Sequence, residues 1–296
     1  MATYTATHVS ATTSVPDKPR VSRFRLLQIR AFASLLTSLG ARPGGRALVS
    51  HLRSNSWLRA PLKSLLGFRR TFPSFAAAQA VASRYIPAGH EHPDEVTFHT
   101  AISDILRESD YPVLFLLAPI ANTFQKVFDL GGSVGNLFYA YKDHVQFSSS
   151  LTWLVYDLPF IRPIGERLAH KRGESRIRFT DSINESSGAD LFLASGSLHY
   201  FEQPLHELLR TLEKLPTHVI INRSPFSRGP DVITIQDNQS FLVPCKLHSR
   251  STLLSGMNSL GYRFHMEWPV HERKLVLPLD PHLSARTYSG FYFRLE

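Results

Sequence analysis

Val127-Phe128-Asp129-Leu130-Gly131-Gly132-Ser133-Val134-Gly135-Asn136 is the stretch whose reading decides the fold. A short apolar run ends in an acid and opens into a glycine-rich turn. Glycine at such a turn admits positive φ and lets backbone N–H groups come close to a ligand. The helix expected after it adds the positive end of its dipole. The stretch reads as the nucleotide-cofactor loop of a doubly wound α/β domain. A lone glycine-rich match is weak evidence, but here an apolar strand precedes it and a helical stretch follows. The plain alternative is a tight strand–helix turn with no ligand.

From residue 126 onward the pattern strand, turn, helix repeats. Apolar runs at 126–129, 151–156, 176–179, 190–194, 218–222, 262–268 and 288–294 read as strands. Helical stretches fill several gaps, at 162–172, 204–215 and 250–260. Short apolar strands alternating with helices imply a parallel sheet buried on both faces. The last two strands are joined by a long irregular segment, which points to an antiparallel final strand.

In an open α/β sheet the carboxyl ends of the strands face the ligand crevice, so the residues at those ends carry the chemistry. The loop does not meet the dinucleotide fingerprint G-x-G-x-x-G. Class I S-adenosylmethionine methyltransferases use acid-x-G-x-G-x-G, and Asp129, Gly131 and Gly135 fit that frame with Ser133 in place of its middle glycine. Asp157 ends the second strand and suits the two ribose hydroxyls of a nucleoside cofactor; a solvated acid before Pro159 is the alternative. Asp181 follows the third strand, either facing an adenine amino group or serving as a helix cap. Ser195 opens the segment Ser195-Gly196-Ser197-Leu198-His199-Tyr200-Phe201 after the fourth strand. His199 there is a candidate general base, or a histidine that only shapes the pocket. Arg223, after the fifth strand, suits an anionic substrate group or a structural ion pair. The long insertion that follows carries Gln236, a candidate for orienting substrate, and reads as a loop covering the site.

The composition is that of an ordinary globular protein: 296 residues, 43% hydrophobic and 19% charged. The single cysteine, Cys245, rules out an internal disulfide and a multi-cysteine metal site. The 14 histidines show no metal-ligand spacing with a carboxylate frame. No P-loop and no G-x-S-x-G elbow occurs. No apolar run approaches the ~18 residues of a membrane span. The net charge of +9 is unevenly placed. Residues 1–90 hold 13 basic residues against one acid, Asp17, whereas residues 91–296 hold 20 basic and 23 acidic residues. A basic extension is thus joined to a nearly neutral body. Residues 1–20 read as disordered, 21–110 as a basic helical extension or cap, and 111–296 as the cofactor domain. The extension suits packing on the body or contact with an anionic membrane; a mitochondrial transit peptide is the minor alternative. No nucleic-acid-reading motif interleaves with the basic residues.

Segments in a fixed order, among them FRRTFPSFAAA (68–78), KVFDLGGSVGN (126–136), LTWLVYDLPFIRPIG (151–165), DLFLASGSLHYFEQP (190–204), HVIINRSPF (218–226) and LGYRFHMEW (260–268), resemble a family of class I S-adenosylmethionine-dependent methyltransferases associated with bacterial polysaccharide biosynthesis. The resemblance spans roughly residues 67–296. It implies a Rossmann-like α/β fold with a seven-stranded sheet, order 3-2-1-4-5-7-6, the last strand antiparallel. It implies S-adenosyl-L-methionine as cofactor, with Asp129, Gly131, Gly132, Ser133 and Gly135 at the methionine end and Asp157 on the ribose. Leu198-His199-Tyr200-Phe201 is also similar to the L-H-D-W stretch of small-molecule O-methyltransferases, whose histidine is the base; Tyr200 departs from that pattern. The expected activity is O-methylation of a glycan or small hydroxylated molecule by a cytoplasmic, or peripherally membrane-bound, enzyme. The alternatives are an inactive cofactor-binding or assembly protein of the same fold and, with less support, a nicotinamide-dependent oxidoreductase.

Overall fold

The computed structural model describes residues 71–85, 104–237, 242–277 and 280–296. The disordered start, the basic amphipathic helix and the membrane contact expected of residues 1–70 lie outside them. Among the described residues two helices precede the sheet, α1 (Phe75–Tyr85) and α2 (Asp110–Leu117). Then come β1 (Lys126–Leu130), α3 (Asn136–Tyr141), β2 (Thr152–Tyr156), α4 (Arg162–Lys171), β3 (Ile177–Thr180), β4 (Leu191–Ser195), α5 (Leu205–Arg210) and β5 (His218–Ser224). An insertion follows, made of β6 (Phe226–Ser227), β7 (Val232–Asp237) and β8 (Leu242–Ser249). The chain ends with α6 (Arg250–Ser259), β9 (Tyr262–Val270) and β10 (Tyr288–Leu295).

The large sheet has the order β3-β2-β1-β4-β5-β10-β9. β1 to β5 run parallel, and β10 is antiparallel to both β5 and β9. Without the three insertion strands this is the expected order 3-2-1-4-5-7-6 of a Rossmann-like sheet. Alternation along each strand builds two cores. Val127, Trp153, Leu193 and Ile220 face one side with α2 and α3. Phe128, Phe192 and Ile221 face the other with α5 and α6. Pro163 at the start of α4 costs no hydrogen bond there, and Ser249 Oγ caps α6 by accepting from the Thr252 N–H. The 204–215 helix is shorter than expected, and residues 104–107, within the extension read as helical, are not helical.

The insertion is ordered structure rather than a covering loop. β7 and β8 pair antiparallel, Val232 opposite Leu247 through Asp237 opposite Leu242. Pro244 lies within β8, although proline removes a ladder donor. It is tolerated because β6 pairs with β8 only at His248 and Ser249, so the far edge of β8 is unpaired at Pro244. α1 packs Ala78 and Ala82 onto Ile235 and Leu242, and the Phe72 N–H donates to the Ile233 carbonyl at 2.8 Å. Lys246 Nζ ties the insertion to the body through the Glu202 carbonyl, at 2.6 Å, and to Asp231, at 2.9 Å. His248 Nε2 donates to the Leu198 carbonyl at 3.2 Å. Burial first, then the Lys246 charge, pushes His248 down to about 4, so this neutral donor persists at ordinary pH.

A buried acid fixes α2. Asp110 Oδ1 accepts from Arg223 Nη1 at 2.9 Å and from the Tyr141 hydroxyl at 2.8 Å, while Oδ2 accepts from the Arg107 N–H at 2.9 Å. Asn222 Nδ2 donates to the Ser109 carbonyl at 3.1 Å, and Trp268 Nε1 donates to Asn222 Oδ1 at 3.2 Å. The boundary expected at residue 110 therefore falls inside a helix bonded to the body. The Asp110 and Arg223 side chains are 1% and 7% exposed. Asp110→Ala should leave a buried guanidinium uncompensated and cost about 3–5 kcal/mol. Urea unfolding measures it; a loss under ~1 kcal/mol would show that Arg223 does not depend on this partner.

Candidate functional site

β1 lies between β2 and β4, and this reversal of strand order is where a doubly wound sheet opens a crevice. The loop after β1 is shaped by three consecutive demands. Gly131 has φ +68, and a Cβ there would come within 2.4 Å of Ser197 Cβ. Its N–H donates to the Tyr156 carbonyl at 2.7 Å, and Ser197 Oγ donates to the Leu130 carbonyl. At Gly132 a Cβ would lie 2.4 Å from Asp129 Oδ2. Gly135, φ +91, is the N-cap of α3, and a Cβ there would meet Ile177 at 2.8 Å.

Ser133 takes the left-handed conformation too, with φ 55. It stands where the family pattern has glycine, and the backbone keeps the glycine geometry. Its N–H donates to Asp157 Oδ2 at 2.7 Å, while Asp157 Oδ1 accepts from the Leu158 N–H at 2.7 Å. Asp157 at the end of β2 thus pins the loop after β1.

Asp129 is 1% exposed. Oδ2 accepts from Trp153 Nε1 at 3.0 Å, and Oδ1 has no hydrogen-bond partner. Burial pushes this carboxyl up to about 7; the Trp153 hydrogen bond opposes the shift and the Asp157 charge adds to it. Other buried polar atoms without partners cluster in the same loop and strand ends: Ser133 Oγ, Asn136 Oδ1 and Ser195 Oγ. Asp181 follows β3 and is exposed.

His199 lies in a 3-10 turn, Leu198–Tyr200, and is 3% exposed. Its ring sits 4.1 Å from that of Tyr200 and 6.0 Å, edge-on, from that of Tyr288. The Tyr200 hydroxyl donates to Gln236 Oε1 at 2.7 Å. Gln236 therefore fixes the ring against which His199 packs. Arg223 pairs with Asp110 through Nη1, its Nε has no hydrogen-bond partner, and its backbone φ is 52.

Asp129, Asp157, Ser195 and His199 lie at or just past the carboxyl ends of β1, β2 and β4. Asp110, Trp153 and Tyr288 were not singled out. Asp110 carried a weak signal, an acid in the first turn of a helix. Trp153 and Tyr288 carried none, because their partners are 24 and 89 residues away, at Asp129 and His199.

No protein-family model matches the chain, and no curated protein matches it in sequence. Solved structures resemble it in fold. The mitomycin 7-O-methyltransferase structure is 13% identical, covers 93% of this chain and 84% of its own, and has a TM-score of 0.47. Magnesium protoporphyrin IX methyltransferase of Synechocystis is 12% identical over 70% of this chain and 87% of its own, with a TM-score of 0.44. The 1,6-didemethyltoxoflavin-N1-methyltransferase of Burkholderia thailandensis is 18% identical over 70% and 92%, with a TM-score of 0.41.

A left-handed serine costs about 1–2 kcal/mol that glycine avoids, less glycine's greater loss of chain entropy. Ser133→Gly should therefore stabilise the protein by about 0.5–1 kcal/mol, and Gly131→Ala should destabilise it by at least ~1–3 kcal/mol. Urea midpoints of the two variants read both signs; a destabilised Ser133→Gly would mean that the hydroxyl is needed in the loop.

Proposed function

We propose that the chain is an S-adenosylmethionine-dependent methyltransferase acting on an oxygen of a glycan or a small hydroxylated molecule. One observation carries the reading. Buried polar atoms without partners gather where the strand order reverses, beside a loop in which two Cβ atoms would close the space. Buried polar groups are normally satisfied, so such a set calls for a polar ligand. The residues present fit the cofactor. Asp129 Oδ1 suits its ammonium. Asp157 suits the ribose hydroxyls, because a carboxylate oxygen can accept more than one hydrogen bond. Gly131, Gly132, Ser133 and Gly135 keep the backbone open, Ser195 adds a hydroxyl, and Asp181 stands beside the adenine end.

When bound, the cofactor supplies an electrophilic methyl group on its sulfonium. His199 takes the proton of the acceptor hydroxyl as the new bond forms, and the Tyr200–Gln236 pair holds the imidazole plane. Much of the rate gain comes from alignment of the two reactants. Tyr200 in place of the family's acid and the strained Ser133 favour a second reading, a cofactor-binding protein without turnover. Binding of S-adenosylhomocysteine with no methylated product across hydroxylated acceptors would support it.

His199→Ala should lower turnover about 10²–10⁴-fold and leave S-adenosylhomocysteine affinity nearly unchanged. Unchanged turnover would remove the base assignment. The ammonium of the ligand prefers the ionised Asp129. With its carboxyl at about 7, about one tenth is ionised at pH 6 and about nine tenths at pH 8. Affinity for S-adenosylhomocysteine should thus rise about tenfold from pH 6 to pH 8 and then level off. Calorimetry at several pH values tests this, and Asp129→Asn should flatten the curve; a wild-type affinity that is flat or falls with pH would place the ammonium elsewhere.

A further inference from the structure

The crevice has two halves. β3, β2, β1 and β4 end on one side; β5, β10 and β9 lie on the other. The proposed cofactor residues belong to the first half. The second half carries arginines. Arg223 ends its strand buried, with Nη1 on Asp110 and Nε without a hydrogen-bond partner. The Nε atom lies 3.8 Å from where a Gly196 Cβ would stand, next to the turn that carries His199. Arg107 leads into α2, and its N–H is bound to the same Asp110 carboxylate. Arg273 lies just past β9, and its carbonyl accepts from the Tyr288 N–H at 3.2 Å. The Tyr288 ring in turn faces His199.

Asp110 and Glu272 partly offset the arginine charges, and each already accepts hydrogen bonds. Asp110 is shared by Arg223, Tyr141 and the Arg107 N–H. Glu272 Oε1 accepts from the Ser109 N–H at 3.3 Å. Among the described residues, neither Arg107 nor Arg273 has an ion-pair partner. Burial first, then the charges of Arg223 and Arg273, holds the Arg107 guanidinium below its ordinary range. Arg223 is buried, Arg107 half-buried and Arg273 exposed, and like charges that are partly desolvated are unfavourable unless an anion joins them.

We infer that the acceptor carries an anionic group, a carboxylate or a phosphate, which Arg107, Arg273 and the free edge of Arg223 hold beside His199. Guanidinium forks match both groups geometrically. The inference rests on the methyltransferase reading, and its test does not need turnover. The full chain is loaded with S-adenosylhomocysteine and titrated calorimetrically with benzoate, inorganic phosphate and neutral benzamide. One of the two anions should bind and benzamide should not; which anion binds tells a carboxylate acceptor from a phosphorylated one. Arg107→Gln and Arg273→Gln should each weaken that binding about tenfold and leave S-adenosylhomocysteine affinity within about twofold, which also shows that the variants fold. The inference is overturned if neither anion binds, if both variants bind the anion like wild type, or if S-adenosylhomocysteine affinity itself drops tenfold. The last outcome would assign the arginines to the cofactor's own carboxylate. Failure of wild type to bind S-adenosylhomocysteine would overturn the cofactor reading, and the inference with it.

Discussion

The buried contact between Asp110 and Arg223 joins parts of the chain that are far apart in sequence. One carboxylate takes a guanidinium from the end of β5, a phenol from α3 and a backbone N–H from the lead-in to α2. Taking both charges out of water is expensive, and mutual attraction together with further hydrogen bonds offsets that cost only in good geometry. The pair thereby holds α2 in one place over the ends of the parallel strands. The Arg107 N–H and the Arg223 guanidinium meet on that one carboxylate, so the contact that fastens the helix also brings the chain at Arg107 to the end of β5. The left-handed backbone at Arg223 is part of that arrangement.

The crevice itself depends on a second constraint, the close packing of the loop after β1. Gly131 is pressed against Ser197, Gly132 against Asp129, and Asp157 holds the Ser133 N–H. These contacts bring β1, β2 and β4 into one rim. They also leave Asp129 buried with an unpaired oxygen, which explains its raised proton affinity. A group in that state is poised for a cation. His199 is held differently, by two tyrosine rings and by an insertion that grips its turn through Lys246 and His248. The insertion is therefore a support for the turn that carries the proposed base, and α1 in turn supports the insertion.

Most of the sheet was legible in the residues, because strands buried on both faces read as short apolar runs and the glycine turn marks where the first one ends. The candidate residues at strand ends were legible for the same reason: the fold rule places them before any side chain is seen. The insertion strands were not, since Pro244 breaks the run that would mark β8, and β6, its partner on that side, is only two residues long. Gln236 was read as facing substrate and instead accepts a bond from Tyr200, a pairing across 36 residues that no local pattern announces.

The sequence by itself determined the class of fold, the glycine turn after β1 and which residues stand at the strand ends, since these follow from periodicity, glycine and strand order. The tertiary structure decided what each of them touches. It tied Arg223 to Asp110, tied Gln236 to Tyr200, and left Asp129 half satisfied. Those outcomes depend on partners distant in the chain, and on burial strong enough to change what a charge costs; neither is a property of local sequence.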